Sequence, residues 1–171
     1  MNIQTQNFDE VTLINFTELS EDDLHYVLKM RNHPEIKKWM VNQDDITEAQ
    51  HFSFVEALRI DTTKCYFLVK KSSDTIGSIN FTHIDKQQKT ADFGLYANPF
   101  HQVSGAGRML EEASIAYAKK QLKLAYLNLE VFADNNKAIN FYNKNGFIQV
   151  GTKTITNQPV YCMQKKISES E

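Results

Sequence analysis

A mixed α/β layer is the fold class this sequence predicts, from the order and periodicity of its apolar segments. Helical patterns cluster early, a run of strand-like segments follows, and the chain then alternates strand, helix, strand, helix, strand. Its 171 residues, 42% hydrophobic and 23% charged, fit one domain over residues 1–171 with ordinary globular composition.

Residues 11–16 are β-rich and partly alternating, and predict a first strand. Ser20 followed by Glu21, Asp22 and Asp23 reads as a helix start, with carboxylates near the positive end of the dipole. Leu24, Val27, Leu28 and Met30 form the apolar stripe of that helix. Pro34 ends it or opens a new one. A short helical piece is expected over 35–40, and a longer helix over 47–60 with Phe52, Val55 and Leu58 facing inward.

Strands follow at 65–69, at 75–84 after the Ser72-Ser73-Asp74 turn, and at 91–96 before Asn98-Pro99. The clearest helix spans 105–121, where Ala106, Met109, Leu110, Ala113, Ala116 and Tyr117 keep helical spacing. A strand over 126–132, a helix over 136–144 ended by Asn145-Gly146, and a hairpin of 147–154 with 160–166 complete the chain.

Composition excludes several classes of function. A formal net charge of -2 supplies no overall field toward nucleic acid or anionic membrane. Cys65 and Cys162 are the only cysteines, each within an apolar strand-like run; they form no disulfide framework and show no metal-ligand spacing. The N-terminal residues are polar, without an apolar signal region, and no stretch nears the roughly 18 apolar residues of a membrane span. A cytoplasmic protein without a metal is expected.

Gln102-Val103-Ser104-Gly105-Ala106-Gly107 lies between a strand end and the longest helix. Glycines there allow close approach of a ligand, and the free N–H groups of the helix start suit a pyrophosphate, with Arg108 adding charge. The same glycines also suit a plain tight turn. A P-loop lacks its Lys-Ser/Thr here, and a dinucleotide fingerprint lacks its third glycine. Further on, Asn135, Ala138 and Tyr142 share one helical face, and Glu130 sits on the preceding strand. A carboxylate and a phenol converging there could serve both proton transfers of an acyl transfer, or they could be a surface residue and a core aromatic.

The run from Leu129-Glu130-Val131 through Asn135, Ala138 and Phe141-Tyr142 to Gly146-Phe147 resembles the acetyl-CoA site of the GNAT superfamily of N-acetyltransferases. Gln102-x-x-Gly105-x-Gly107 is similar to that family's pyrophosphate loop, in the expected order. The resemblance implies a central, mostly antiparallel twisted sheet of about seven strands flanked by helices. It also implies acetyl-CoA as co-substrate. The strand carrying residues 93–97 would splay from that of Glu130, with Leu95 and Ala97 pairing with the pantetheine arm. Main-chain groups of Val103, Ser104, Gly105, Ala106, Gly107 and Arg108, after Gln102, would hold the pyrophosphate. Asn135 and Ala138 would contact the cofactor, Tyr142 would protonate the departing thiolate, and Glu130 would be the base.

The acceptor is expected from the N-terminal half. Arg31-Asn32-His33-Pro34 with Trp39-Met40, and then His51-Phe52-Ser53-Phe54, could meet phosphate and stack on a base, or could be core and surface. This pattern, with Phe93-Gly94-Leu95-Tyr96-Ala97-Asn98-Pro99-Phe100, resembles one GNAT branch. Its members acetylate the 4-amino group of UDP-4-amino-4,6-dideoxy-N-acetyl-β-L-altrosamine on the route to pseudaminic acid and flagellin glycosylation. That resemblance implies a UDP-amino-sugar acceptor contacted by Arg31, Met40, His51 and Phe54, with Ser78 near the reacting amine, and a possible homodimer. A protein N-acetyltransferase and a non-enzymatic CoA-binding sensory module are the competing readings.

Overall fold

The computed structural model describes residues 6–8 and 10–168. Strand β1 (Gln6–Phe8) pairs with β2 (Val11–Asn15), and a 3-10 turn at Phe16–Glu18 leads to α1 (Glu21–Asn32). The Ser20 hydroxyl accepts the Asp23 N–H at 3.2 Å, so the predicted cap forms. Pro34 opens a new helix, α2 (Pro34–Lys37), whose Glu35 N–H donates to the His33 ring at 3.1 Å. Helix α3 (Glu48–Leu58) starts at a reciprocal Thr47–Gln50 capping box.

Strands β3 (Cys65–Lys71), β4 (Asp74–Asp85) and β5 (Thr90–Ala97) then form a meander. Helix α4 (Ala106–Lys120), β6 (Tyr126–Phe132), α5 (Asn136–Lys144) and the hairpin β7 (Ile148–Ile155) with β8 (Gln158–Lys166) follow. The strands make one sheet in the order β1-β2-β3-β4-β5-β6-β8-β7, antiparallel throughout except for β5 against β6. Eight strands stand where seven are expected. The extra one, β1, has only three residues, too few for an alternation to register.

Strand alternation separates two cores. On β3, Cys65, Phe67 and Val69 join the core beneath α4 and α5, while Leu68, with Tyr66 beside it, turns to Val27, Met30, Val55 and Leu58 of α1 and α3. Phe67, Phe81, Leu110 and Leu127 are fully buried on the α4 side, each contributing about 1.5–3 kcal/mol. The inward stripe of α3 is His51, Val55 and Leu58, with Phe52 only half-buried. Spacing of i, i+4, i+7 selects His51, a polar residue that an apolar count passes over. Cys65 is a buried free thiol, pushed up to about 12 by burial, and Cys162 is half-buried and also free. Among the described residues, no helix is long and apolar enough to cross a membrane, and no cluster of metal-binding side chains occurs.

Candidate active site

Among the described residues, the only parallel pairing in the sheet is short. Thr90, Ala91 and Asp92 pair with Tyr126, Leu127 and Asn128, and there the ladder between β5 and β6 ends. Beyond it β5 stays on β4 through Ala97, while β6 stays on β8 through Phe132. The facing edges of residues 93–97 and 129–132 therefore have no strand between them. Unpaired main-chain groups at such an edge suit an extended, amide-bearing ligand.

A cleft of about 810 Å³ opens at this parting, within the range of small-molecule sites. Leu95, Tyr96 and Ala97 of β5 line it, with Gln102, Val103, Gly105, Ala106 and Gly107 around the start of α4. Asn135, Ala138 and Tyr142 line it from α5, and Ile36, Lys38 and Trp39 from the α2 side. Thus ten of the sequence-derived positions converge. Ser104 and Arg108 are not in the lining. The Arg108 guanidinium bonds Glu112 at 2.9 Å and lies 3.6 Å from Glu10, turned away from the cleft. Any part it takes in anion binding is through its main chain.

The start of α4 is built for an anion. Gly105 caps it in the left-handed region (φ 76), where a side chain would be strained, and no side chain bonds the N–H groups of its first turn. A side chain at Gly107 would stand 3.1 Å from the Phe141 ring, so glycine lets α4 and α5 close around the cleft. The Ala106 N–H donates to Val103 O at 3.1 Å, and the remaining first-turn N–H groups with the helix dipole present positive charge there, Lys38 and Lys137 also lining the cavity. Asn98 shapes the approach: its carboxamide donates to Thr75 O and Tyr26 Oη at 2.9 Å each and accepts from the Phe100 N–H at 2.9 Å.

Tyr142 is wedged between Phe93, Phe141 and Phe147, with ring centroids 5.4–6.1 Å away. Burial raises its pKa well above the ordinary tyrosine value, and the nearby Glu111 carboxylate adds to the rise. Glu111 is itself buried and held by Lys165 at 3.0 Å. A phenol so placed stays protonated at neutral pH and keeps a proton to donate. Asn135 caps α5, its side chain accepting the Ala138 N–H at 3.3 Å.

Glu130 does not meet Tyr142 on one face. Leu129 and Val131 pack with Tyr142, so Glu130 points to the opposite side of β6, exposed and ion-paired with Lys153 of β7. The pairing keeps Lys153 charged. Both sides of the sheet reach the same gap only where β5 and β6 part.

Between α1 and the sheet lies a second polar group. Arg31 donates from Nη2 to Asn42 O at 2.8 Å, while its Nη1 is buried without a hydrogen-bond partner among the described residues. Burial lowers the Arg31 pKa, offset in part by Tyr96 and Tyr66. Ser78 is buried and in register with Tyr96. Burial pushes the Tyr96 hydroxyl up to about 12, its bond with Ser78 and nearby Arg31 opposing. Tyr96 reaches both this cluster and the cleft, a link that only its alternate position on β5 could have signalled.

The other acceptor candidates lie elsewhere. His51 is buried between α1 and α3, its Nε2 2.9 Å from Leu24 O. Phe54 packs edge-on against Tyr66 at 4.9 Å. Met40 is half-buried and outside the cleft lining.

Open strands, an anion-binding helix start and a buried donor phenol around one cleft define an acyltransferase site for an elongated anionic donor. Residues 20–147 match the acetyltransferase (GNAT) family, and the chain belongs to that family. It is similar to acetyltransferase PseH from two strains of Campylobacter jejuni, 39% and 37% identical over 137 residues, covering 80% of this chain and 84% of each relative. The crystal structure of C. jejuni N-acetyltransferase PseH in complex with acetyl coenzyme A superposes with a TM-score of 0.74 at 32% identity, covering 92% of this chain and 99% of that one. A Vibrio cholerae spermidine N-acetyltransferase with CoA and spermine gives a TM-score of 0.82 at 22% identity, over 94% and 97% of the two chains, a likeness of fold.

Proposed function

We propose that the protein, acting as one domain, transfers the acetyl group of acetyl-CoA to the 4-amino group of UDP-4-amino-4,6-dideoxy-N-acetyl-β-L-altrosamine, a step toward pseudaminic acid. The parting of β5 from β6 beside the open start of α4 carries the donor half of this reading. Support for the acceptor comes from the PseH relatives and from the unpaired Nη1 of Arg31, since a buried guanidinium nitrogen lacking a partner suits a phosphate or a uracil carbonyl.

The residues divide the work as follows. N–H groups at Gly105, Gly107 and Arg108 hold the pyrophosphate, that of Ala106 already donating to Val103 O at 3.1 Å, and the edge at Leu95 and Ala97 aligns the pantetheine arm and polarises the acetyl carbonyl. The neutral amine attacks that carbonyl carbon, forming the C–N bond. The C–S bond breaks, and the departing sulfur takes its proton from the Tyr142 hydroxyl. The proton lost by the amine passes to water and on to Glu130, which faces the acceptor side. Ser78, held by Tyr96, orients the acceptor.

A polycationic acceptor such as spermidine calls for unpaired carboxylates. Two carboxylates near the gap are instead ion-paired, Glu35 with Lys38 and Glu130 with Lys153. The test is direct: with acetyl-CoA and the UDP-amino sugar, the purified protein should release free CoA. Turnover on spermidine or on peptide amines, with none on the sugar nucleotide, would replace this reading.

A further inference from the structure

The cleft has a wall that the donor contacts described so far do not use. Its floor is the β5 edge and its ends are the starts of α4 and α5, but its remaining side is α2 and the turn after it. Ile36 and Trp39 present apolar surface there. Trp39 is the only tryptophan in the chain and is 36% exposed, an unusual placement for so large an apolar ring inside a cavity.

Four residues make a helix too short to hold itself, so α2 depends on its ties. The Asn32 carboxamide bonds both main-chain groups of Ile46 at 2.8 Å each, closing the segment onto α1. Lys37 reaches Asp45 at 2.7 Å, and the Gln43 side chain donates to Lys38 O at 3.0 Å. The Lys38 ammonium lies 5.4 Å from the Trp39 ring centre, which fixes the indole further. A short segment with this many ties holds its aromatic ring in place before any ligand arrives.

Although the Trp39-Met40 dipeptide reads in the sequence as part of an acceptor site, Trp39 shares one cavity with Tyr142 and the start of α4. We propose that Ile36 and Trp39 roof the acyl donor, so that its thioester lies between the indole and the β5 edge and is shielded from water until the amine enters. The roof thus limits the side reaction in which water takes the place of the amine and yields acetate and CoA. This rests on the donor reading above.

The sole tryptophan gives a direct readout on the native protein. Titration with acetyl-CoA alone should change tryptophan emission saturably, with a midpoint equal to the Kd from calorimetry. Trp39→Ala should weaken acetyl-CoA about three- to tenfold, the worth of one aromatic contact, and raise the ratio of hydrolysis to transfer, with Trp39→Phe restoring most of both. Calorimetric binding with unchanged emission overturns the roof. So does emission that responds only to the UDP-amino sugar, or a Trp39→Ala protein with unchanged Kd and hydrolysis ratio. Calorimetry without any acetyl-CoA binding overturns the donor reading, and the roof with it.

Discussion

The two faces of the sheet build their sites from different materials. On the α4–α5 face, the groups facing the cleft are largely main chain: a parted strand edge, a helix start, and glycines that keep side chains out. On the α1–α3 face the polar groups are side chains, with Arg31 from α1, Tyr66 from β3, Ser78 from β4 and Tyr96 from β5. A main-chain site constrains which residues stand at fixed spacings along one segment. A side-chain site constrains only where four distant segments meet.

Breaking the first face should cost most. Tyr142→Phe keeps the ring packing against Phe93 and Phe147 and removes only the hydroxyl, so turnover should fall on the order of a hundredfold while acetyl-CoA still binds. An unchanged kcat would remove tyrosine as the acid. Arg31→Ala tests the second face. Loss of a charge-assisted contact costs about 1.5–3 kcal/mol, so the acceptor KM should rise at least about tenfold, with donor Kd within twofold because Asn32, Lys37 and Gln43 still hold the following loop. A donor defect with normal acceptor KM would show that the two faces do not divide the substrates. Gly107→Val sharpens the boundary from the donor side. Its side chain must displace the Phe141 ring, so acetyl-CoA binding should weaken several-fold, on the scale of a cost of about 1 kcal/mol, and the acceptor KM should stay as it was.

The same contrast decides what could be read from the sequence. Helix α5 and strand β6 stand at their predicted ends, and the glycine loop and Tyr142 come together in the cleft, because each is set by local chemistry: a cap, a left-handed glycine, a helical face. Tyr96 gave no local signal. Its role depends on Ser78 lying opposite it on β4 and on Arg31 lying above, and neither neighbour is near in sequence. Arg108 shows the reverse. A cation beside an anion-binding loop invites a functional reading, yet Glu112 one turn along α4 captures its side chain. Glu130 follows the strict alternation of its strand, which places it across the sheet from Tyr142.

His51 is the position where resemblance and geometry differ most, and its effect should be the smallest on catalysis. The resemblance makes it an acceptor contact, whereas its imidazole is buried and bonds Leu24 O across the α1–α3 contact. His51→Leu should therefore lower stability by about 1–2 kcal/mol, or roughly 2–8 °C in Tm, and leave the acceptor KM within twofold. A tenfold rise in KM at unchanged Tm would return His51 to the acceptor site. pH supplies an independent check. Burial lowers the His51 pKa, its bond to Leu24 O opposes the shift, and His25 adds to it. Between the folded and unfolded values the unfolded chain binds the extra proton. The contribution of the neutral ring is thus complete above a pH of about 6.5 and lost as pH falls below it. Thermal unfolding from neutral to mildly acidic pH should show this loss in the native protein, and the slope should flatten in His51→Leu because the group that titrates is gone.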